Sequence, residues 1–202
     1  MKRPARNLDR GEQAVVLLNR RGYAPLMYCL DCNSTLRCPQ CEIGLTYHKG
    51  GKAGLPLLRL YPALSFALSA VQGHEFSAPG RSTERLAERL SVLAGRPVLR
   101  LDRDSTRRPG RMEEILAAFA RQEAPILVGT QMLSKGHHFP QVTLAVVADG
   151  DLGLNLPDYR AAERTFQLLV QSAGRAGRGE KPGRVLIQTR DRQHYCWQYV
   201  QT

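Results

Sequence analysis

Two arginines in this chain have a spacing that suits phosphate chemistry. Residues 171–178 read Gln-Ser-Ala-Gly-Arg-Ala-Gly-Arg and close an amphipathic pattern. The three-residue spacing of Arg175 and Arg178 puts both guanidinium groups on one side of a helical turn. The intervening glycines leave room for a large anion. Such a pair can stabilise the charge of a nucleoside triphosphate as its terminal phosphate leaves. The alternative is two surface arginines near a helix end.

A second run, residues 129–140, follows an apolar strand pattern and reads Gly-Thr-Gln-Met-Leu-Ser-Lys-Gly-His-His-Phe-Pro. The hydroxyl group of Thr130 and the backbone N–H groups beside it lie just past a strand, where they can reach a phosphate. The presence of both runs in one chain favours phosphate chemistry over two unrelated surface features.

Four cysteines form two Cys-x-x-Cys pairs, Cys29 with Cys32 and Cys38 with Cys41. Four thiolates at this spacing suit tetrahedral zinc. Redox chemistry is the weaker interpretation, because there are two pairs and neither follows a strand and opens a helix. Cys196 lies far from this cluster, beside Trp197, and we interpret it as a packing residue.

The composition favours a polyanionic partner. The chain has 202 residues and a formal net charge of +11, with 29 lysines and arginines against 18 acidic residues. Nucleic acid is the first candidate for such a basic chain, and a generally basic soluble protein is the alternative. No apolar run reaches membrane-spanning length, and no apolar segment follows the basic start, so we expect a cytoplasmic protein without a membrane partner.

Strand patterns alternate with helix patterns, which predicts an α/β fold with a parallel sheet and right-handed crossovers. An insertion interrupts the pattern at residues 28–75. The predicted strands are Ala14–Leu18, Val98–Leu101, Ile126–Val128, Leu144–Ala148 and Val185–Ile187. Thr130 and Asp149 then follow carboxyl ends of strands, the edge at which such sheets bind ligands.

Three helices are predicted from apolar spacing. The first is capped by Ser82 or Thr83, the second opens at Pro109-Gly110, and the third is capped by Asp158. Their predicted buried faces are Leu86, Leu90 and Leu93; Met112, Ile115, Leu116 and Phe119; and Ala162, Phe166, Leu169, Val170 and Ala173.

These motifs carry a family resemblance. Residues 171–178 resemble motif VI of superfamily 2 helicases, and residues 129–140 resemble the motif V region of the bacterial primosomal replication-restart helicases. Three further parts of the chain match the same family in order and spacing: residues 18–25, the cysteine pairs and residues 101–104. The resemblance covers nearly the whole chain and implies a RecA-like helicase lobe, a parallel sheet flanked by helices, with a cysteine-rich zinc-binding insertion.

The resemblance also implies a domain division. Residues 1–27 would begin the second helicase lobe, residues 28–75 would form the zinc-binding insertion, and residues 76–190 would complete the lobe. Residues 191–202 would begin a truncated C-terminal domain.

Site roles follow from the same resemblance. Arg175 and Arg178 would contact the γ-phosphate of ATP, with Gln171 near the nucleotide and Gly174 beside the arginines. Thr130 and Lys135 would contact the DNA backbone, with support from His137, although two ordinary loop histidines at 137 and 138 remain an alternative. ATP and Mg²⁺ would bind only together with a first lobe, because this sequence contains neither a Gly-x-x-x-x-Gly-Lys-Ser/Thr loop nor an Asp-Glu-x-His run.

The implied function is that of the C-terminal lobe of an ATP-dependent 3′→5′ DNA helicase in replication restart and primosome assembly at stalled forks. Its implied partners are single-stranded and forked DNA, ATP, primosome proteins and single-stranded-DNA-binding protein. Two alternatives remain open: a non-catalytic, zinc-bearing DNA-binding module and an inactive truncated gene product.

The chain departs from the family in the insertion, where the family carries eight cysteines and two zinc ions. Residues 55–71 replace the last two cysteine pairs with a stretch rich in leucine, proline, serine and alanine. A one-base slip of the reading frame through these codons would explain the change. Each family zinc site would then keep half of its ligands, and we expect residues 28–75 to be poorly ordered.

Overall fold

A computed structural model describes residues 11–18, 27–29, 35–38, 44–48, 52–54, 76–77, 83–130, 133, 139–154, 159–174 and 181–199. The strands, in chain order, are β1 (Gln13–Leu18), β2 (Tyr28–Cys29), β3 (Thr46–His48), β4 (Lys52–Gly54), β5 (Phe76–Ser77), β6 (Val98–Leu101), β7 (Ile126–Gly129), β8 (Val142–Ala148) and β9 (Arg184–Ile187). The helices are α1 (Thr83–Ala94), α2 (Arg111–Ala120), α3 (Asp151–Leu154), α4 (Ala161–Ala173) and α5 (Tyr195–Gln198).

Five parallel strands form the central sheet in the order β6-β7-β1-β8-β9, which confirms the predicted parallel sheet flanked by helices. β1 lies at the centre, and all six of its residues are buried. Its unbroken apolar run fits this place, because a central parallel strand is covered on both faces.

The register brings the ends of the strands together at one side of the sheet, which we call the carboxyl edge. Gly129 is paired with Leu17 on one side and with Leu101 on the other. Leu18 is paired with Ala148. Residues that directly follow β6, β7 and β8 therefore lie along a common border, as the sequence predicts for Thr130 and Asp149.

Helices cover both faces of the sheet. α1 packs Leu86 and Leu90 on one face, against Val16 and Val128. α2 packs on the opposite face, where Ile115, Leu116 and Phe119 are buried as predicted, with Met112 partly buried. α4 and α5 cover that second face beside β8 and β9, around Val147 and Ile187.

Two predicted core positions are wrong. Leu93 of α1 is 63% exposed and Val170 of α4 is 48% exposed. In α1 the stripe that meets the sheet passes through Ala87, Leu90 and Ala94, so Leu93 lies beside it. Among residues 161–171 of α4 the buried positions are Ala161, Thr165, Leu168 and Leu169, a stripe rotated away from Val170.

Small ladders bring together parts of the predicted insertion. β2 pairs antiparallel with β5, so that Cys29 lies opposite Phe76, and β3 pairs with β4. Backbone hydrogen bonds join Met27 to Leu45 and to Leu36. Residues 55–71, which carry the suspected frame slip, lie outside the described residues. Among the helices that the structure describes, none combines the length and apolar character needed to cross a membrane.

Candidate functional site

Thr130 is fixed at the carboxyl edge by the close packing of Gly129. A Cβ atom added to Gly129 would lie 2.6 Å from the carbonyl oxygen of Leu101 and 2.6 Å from Cδ1 of Leu133. The Thr130 N–H donates to the same Leu101 oxygen at 3.3 Å, and the Leu133 N–H donates to Thr130 O at 3.0 Å. Only a residue without a side chain lets the chain turn this close to β6, and the half-buried Thr130 is thereby held beside the end of that strand.

Asp102 directly follows β6 and is 5% exposed. Its Oδ1 accepts from the N–H groups of Asp104, at 2.9 Å, and Ser105, at 2.8 Å. Its Oδ2 accepts from the hydroxyl of Thr83 and lies 3.2 Å from Nε of Arg100. One buried carboxylate therefore joins the start of α1, the end of β6 and the turn that follows it.

The pKa of Asp102 reflects these contacts. Burial acts to raise it, but the Thr83 hydroxyl, the backbone N–H groups and the Arg100 charge outweigh burial and lower the pKa below its ordinary value. Thr106 closes the same turn, since its N–H and its hydroxyl both donate to Asp102 O, at 3.1 and 2.8 Å. The carboxylate is therefore charged at neutral pH, and the turn is well supplied with hydrogen bonds.

Four exposed arginines lie on this turn and at the start of α2: Arg103, Arg107, Arg108 and Arg111. Arg107 pairs with Asp104 at 2.8 Å and Arg111 pairs with Glu114 at 2.8 Å. Both pairs are solvent-exposed and hence weak. The segment adds a basic surface to the carboxyl edge next to Thr130.

A second polar cluster lies at the opposite end of the edge, after β8 and β9. Asp151 is 3% exposed and accepts from the Thr189 hydroxyl at 2.5 Å and from the Arg190 N–H at 2.7 Å. Nη1 of Arg190 lies 3.1 Å from Asp149 and 3.4 Å from Asp151. Asp149 has a φ of 61°, in the left-handed region that is uncommon outside glycine.

Residues 188–199 dock onto this cluster. A Cβ atom added to Gly150 would lie 2.9 Å from the Trp197 ring, so the ring packs directly against the backbone after β8. The Trp197 Nε1–H donates to Asp191 O at 2.6 Å. The thiol of Cys196 lies 3.8 Å from the carbonyl oxygen of Ala162 on α4, and burial raises its pKa, in keeping with the predicted packing role.

Few of the predicted site residues are described. Thr130 lies at the carboxyl edge, Gln171 is exposed on the last turn of α4, and the half-buried Gly174 donates its N–H to Val170 O at 2.9 Å. The other predicted nucleotide-binding and DNA-binding residues, Arg175, Arg178, Lys135 and His137, lie outside the described residues, as does Asp158. Their roles stay predictions.

The cysteine cluster is described in part. Cys29 is 0% and Cys38 is 5% exposed, and the nearby residues Met27, Leu36 and Leu45 are buried as well. Cys32 and Cys41 lie outside the described residues. Within the described ranges, no group of three or more His, Cys, Asp or Glu side chains is arranged to hold a metal ion.

The Asp102 and Asp151 clusters are missed by the sequence reasoning. Thr189 and Arg190 come from a part of the chain almost forty residues beyond Asp151, and no local spacing connects them. The sequence does hold one signal for the second cluster, an Asp-Gly-Asp run directly after a buried strand. Turn residues placed there at the carboxyl edge of a parallel sheet indicate a functional or structural polar site.

Comparisons with known proteins agree with this architecture. The family model of the helicase conserved C-terminal domain matches residues 74–180. The chain is 42% identical to the replication restart protein PriA of Bacillus subtilis over 100% of its length, and 42% identical to that of Chlamydia trachomatis over 90%. It spans 25% of the length of each of these relatives. A solved C-terminal domain of the DEAD-box protein Dbp5 matches 98% of the chain and 75% of its own, with a TM-score of 0.50 at 13% identity, which supports the fold alone.

Proposed function

Because the chain belongs to the family of helicase conserved C-terminal domains, we propose that it works as the C-terminal motor lobe of a DNA helicase in replication restart. The observation that carries this proposal is its similarity to PriA proteins over the full chain at about 40% identity. Translocation from 3′ to 5′, primosome assembly at stalled forks and contacts with single-stranded-DNA-binding protein are parts of the proposal.

The carboxyl edge is the surface to which we assign the DNA contact. Thr130 is held next to the end of β6. Phosphate and sugar oxygens accept most protein–DNA hydrogen bonds, so they are the expected partners of its hydroxyl group. We assign DNA-backbone contact to Thr130, Lys135 and His137. Binding of this type depends on salt and is indifferent to base sequence. The net charge of +11 supports it.

The nucleotide contact is assigned to the residues after α4. Arg175 and Arg178 would stabilise the γ-phosphate, with Gln171 and Gly174 beside it. The sequence contains no phosphate-binding loop of the Gly-x-x-x-x-Gly-Lys-Ser/Thr type, so the rest of the ATP and Mg²⁺ site has to come from a first lobe.

Zinc is the metal that we propose for the insertion. Cys29 and Cys38 are both buried. Cys29 lies two residues after Met27 and Cys38 two residues after Leu36, and a backbone hydrogen bond joins Met27 to Leu36. Thiolates in such a site are the ligands that zinc prefers. With Cys32 and Cys41 they would hold the ion and fix the insertion around it. The buried cysteines also favour the second candidate function, a zinc-bearing DNA-binding module without catalysis.

The decisive experiment measures DNA-stimulated ATP hydrolysis. The chain alone is expected to show none above background. Mixing it with the separately produced region that precedes the matching segment in the Bacillus subtilis relative should restore hydrolysis. Arg175→Ala and Arg178→Ala should then lower turnover by roughly 10³- to 10⁵-fold, the range for removal of an arginine finger.

Arg121→Ala serves as the matched control, because Arg121 is an exposed arginine at the far end of α2 and pairs with Glu123. It should leave the restored turnover unchanged. ATP hydrolysis by the chain alone would contradict the proposed division of the site. DNA binding without any restored hydrolysis would favour the non-catalytic module.

A further inference from the structure

Residues 102–108 follow β6, and we call them the arginine turn. Hydrogen bonds to a buried side chain set the conformation of its first residues. We propose that Asp102 is a positioning residue that holds Arg103 and Arg108 as a preformed contact site for nucleic-acid phosphates beside Thr130. The inference rests on the proposed function, because it extends the same DNA contact along the carboxyl edge.

The hydrogen bonds of Asp102 dictate the path of the turn. Its Oδ1 receives the N–H groups of Asp104 and Ser105, and its own N–H donates to the Ser105 hydroxyl at 2.9 Å. A buried carboxylate with this many partners admits few alternative conformations of residues 102–106. Arg108 lies just after them, and its carbonyl oxygen accepts the Arg111 N–H at 3.2 Å, which joins the end of the turn to α2. Phosphate binding therefore does not have to order the loop first, and the entropic cost of binding falls.

The arginine side chains of the turn are exposed to solvent, whereas the carboxylate of Asp102 is buried. Asp102 is 5% exposed and is satisfied by Thr83 and Arg100. Arg103 and Arg108 are exposed and make no ion pair with any residue that the structure describes. Arg107 and Arg111 have exposed acidic partners, which a phosphate can replace at little cost. The outer surface of the turn is therefore cationic.

The turn also lies in the right place. The carbonyl oxygen of Leu101, the residue before Asp102, accepts the N–H of Thr130 at 3.3 Å. Adjacent parallel strands are roughly 5 Å apart, so the first residues after β6 and after β7 are near neighbours. A strand of nucleic acid that contacts Thr130 can thus reach the arginine turn with a neighbouring phosphate.

The test measures the affinity of the whole chain for a single-stranded thymidine oligonucleotide by fluorescence anisotropy across a series of salt concentrations. Arg103→Ala/Arg108→Ala should weaken binding several-fold and reduce the slope of log affinity against log salt by about 1.4, at about 0.7 for each lost contact. Arg121→Ala, at the far end of α2, is the control for loss of a positive charge away from the turn and should leave the slope unchanged.

Asp102→Asn should weaken binding in the otherwise wild-type chain and lower the same slope. In the Arg103→Ala/Arg108→Ala background it should have little further effect, because its role is to position those two arginines. Thr83→Val removes a single hydrogen bond to Asp102 and should give a smaller loss of the same kind, which keeps the test decisive if Asp102→Asn fails to fold.

Three outcomes would overturn the inference. The first is wild-type binding by the two-arginine variant. The second is a lower melting temperature of Asp102→Asn with an unchanged salt slope. The third is an effect of Asp102→Asn on affinity that persists unchanged without the two arginines. In each case the wild-type chain still binds DNA and the proposed function stands. A wild-type chain that binds no DNA contradicts the proposed function itself.

Discussion

Gly129 shows how a single residue without a side chain sets the geometry at the carboxyl edge. The close approach of its backbone to Leu101 O and to the Leu133 side chain leaves no space for a methyl group. A side chain at position 129 would disturb β6 and Thr130 together, because the Thr130 N–H donates to the carbonyl oxygen of Leu101, the last residue of β6. Stability and DNA contact are therefore coupled here.

Gly129→Ala is expected to destabilise the chain by about 1–3 kcal/mol, the usual range for overpacking, and to weaken DNA binding. Urea unfolding and anisotropy measure the two effects. Gly95→Ala is the comparison, because Gly95 has a φ of 60° but no atom within 4 Å of an added Cβ. It should lower stability through backbone strain alone and leave DNA affinity intact. Equal DNA affinity in both variants would contradict the coupling.

The buried carboxylate of Asp102 leads to a second prediction, which concerns the pH dependence of stability. Its pKa is lowered in the folded chain relative to the ordinary value of an aspartate. The group therefore contributes stability that is present above its unfolded pKa and is lost as the pH falls through the folded pKa. Between pH 6 and pH 3, wild type should lose more free energy of unfolding than Asp102→Asn does.

Urea melts at several pH values check this prediction. Glu88→Gln is the control, because it removes an exposed carboxylate from α1 and leaves the Asp102 contacts intact. Its stability should follow that of wild type as the pH falls. Parallel curves for wild type and Asp102→Asn would show that the Asp102 contacts contribute no acid-sensitive stability.

At the scale of elements, apolar patterns predict the sheet well because its strands are buried on both faces. The predicted strand Ala14–Leu18 differs from β1 by one residue, and Val98–Leu101 agrees with β6. The face of α4 was harder to predict, because Thr165 occupies a buried position that a count of apolar residues misses. Its hydroxyl donates to Ala161 O at 2.7 Å, so the polar group is satisfied inside the helix.

Sequence patterns predict the candidate site only for residues that directly follow a strand. Thr130 and Asp149 follow strands, and parallel strands place such residues at one edge. The partners of Asp102 and Asp151 depend on where α1 and residues 188–191 fold back onto that edge. Such contacts are set by tertiary packing, and the spacing of residues along the chain does not encode them.

The docking of residues 188–199 depends on Asp151. Asp151→Ala removes the acceptor of the Thr189 hydroxyl and of the Arg190 N–H, and is expected to cost about 2–3 kcal/mol, as for a lost hydrogen-bonded charge. Hydrogen exchange of residues 188–199 should increase in the variant. Arg192→Ala, which removes an exposed side chain from the same segment, should change stability by about 0.5 kcal/mol or less. Equal exchange in both variants would show that Asp151 does not hold the segment.

At the scale of the whole molecule, metal content tests the insertion. The purified chain is expected to retain at most one zinc ion, because four thiolates fill one tetrahedral site. Cys29→Ser and Cys38→Ser should each lower the zinc content measured by atomic absorption. Cys196→Ser removes a thiol that packs against α4 and should leave the zinc content unchanged. Zinc content that is indifferent to Cys29 and Cys38 would contradict the proposed metal site.

Trp197 is the only tryptophan of the chain, and it is 6% exposed against the backbone of Gly150. Its indole emission is therefore an intrinsic optical signal from one place, the contact between residues 188–199 and the end of β8. A red shift that precedes the loss of far-ultraviolet circular dichroism during denaturation would report release of this segment while the sheet is still folded. Every variant described above can be examined in this way without an added label.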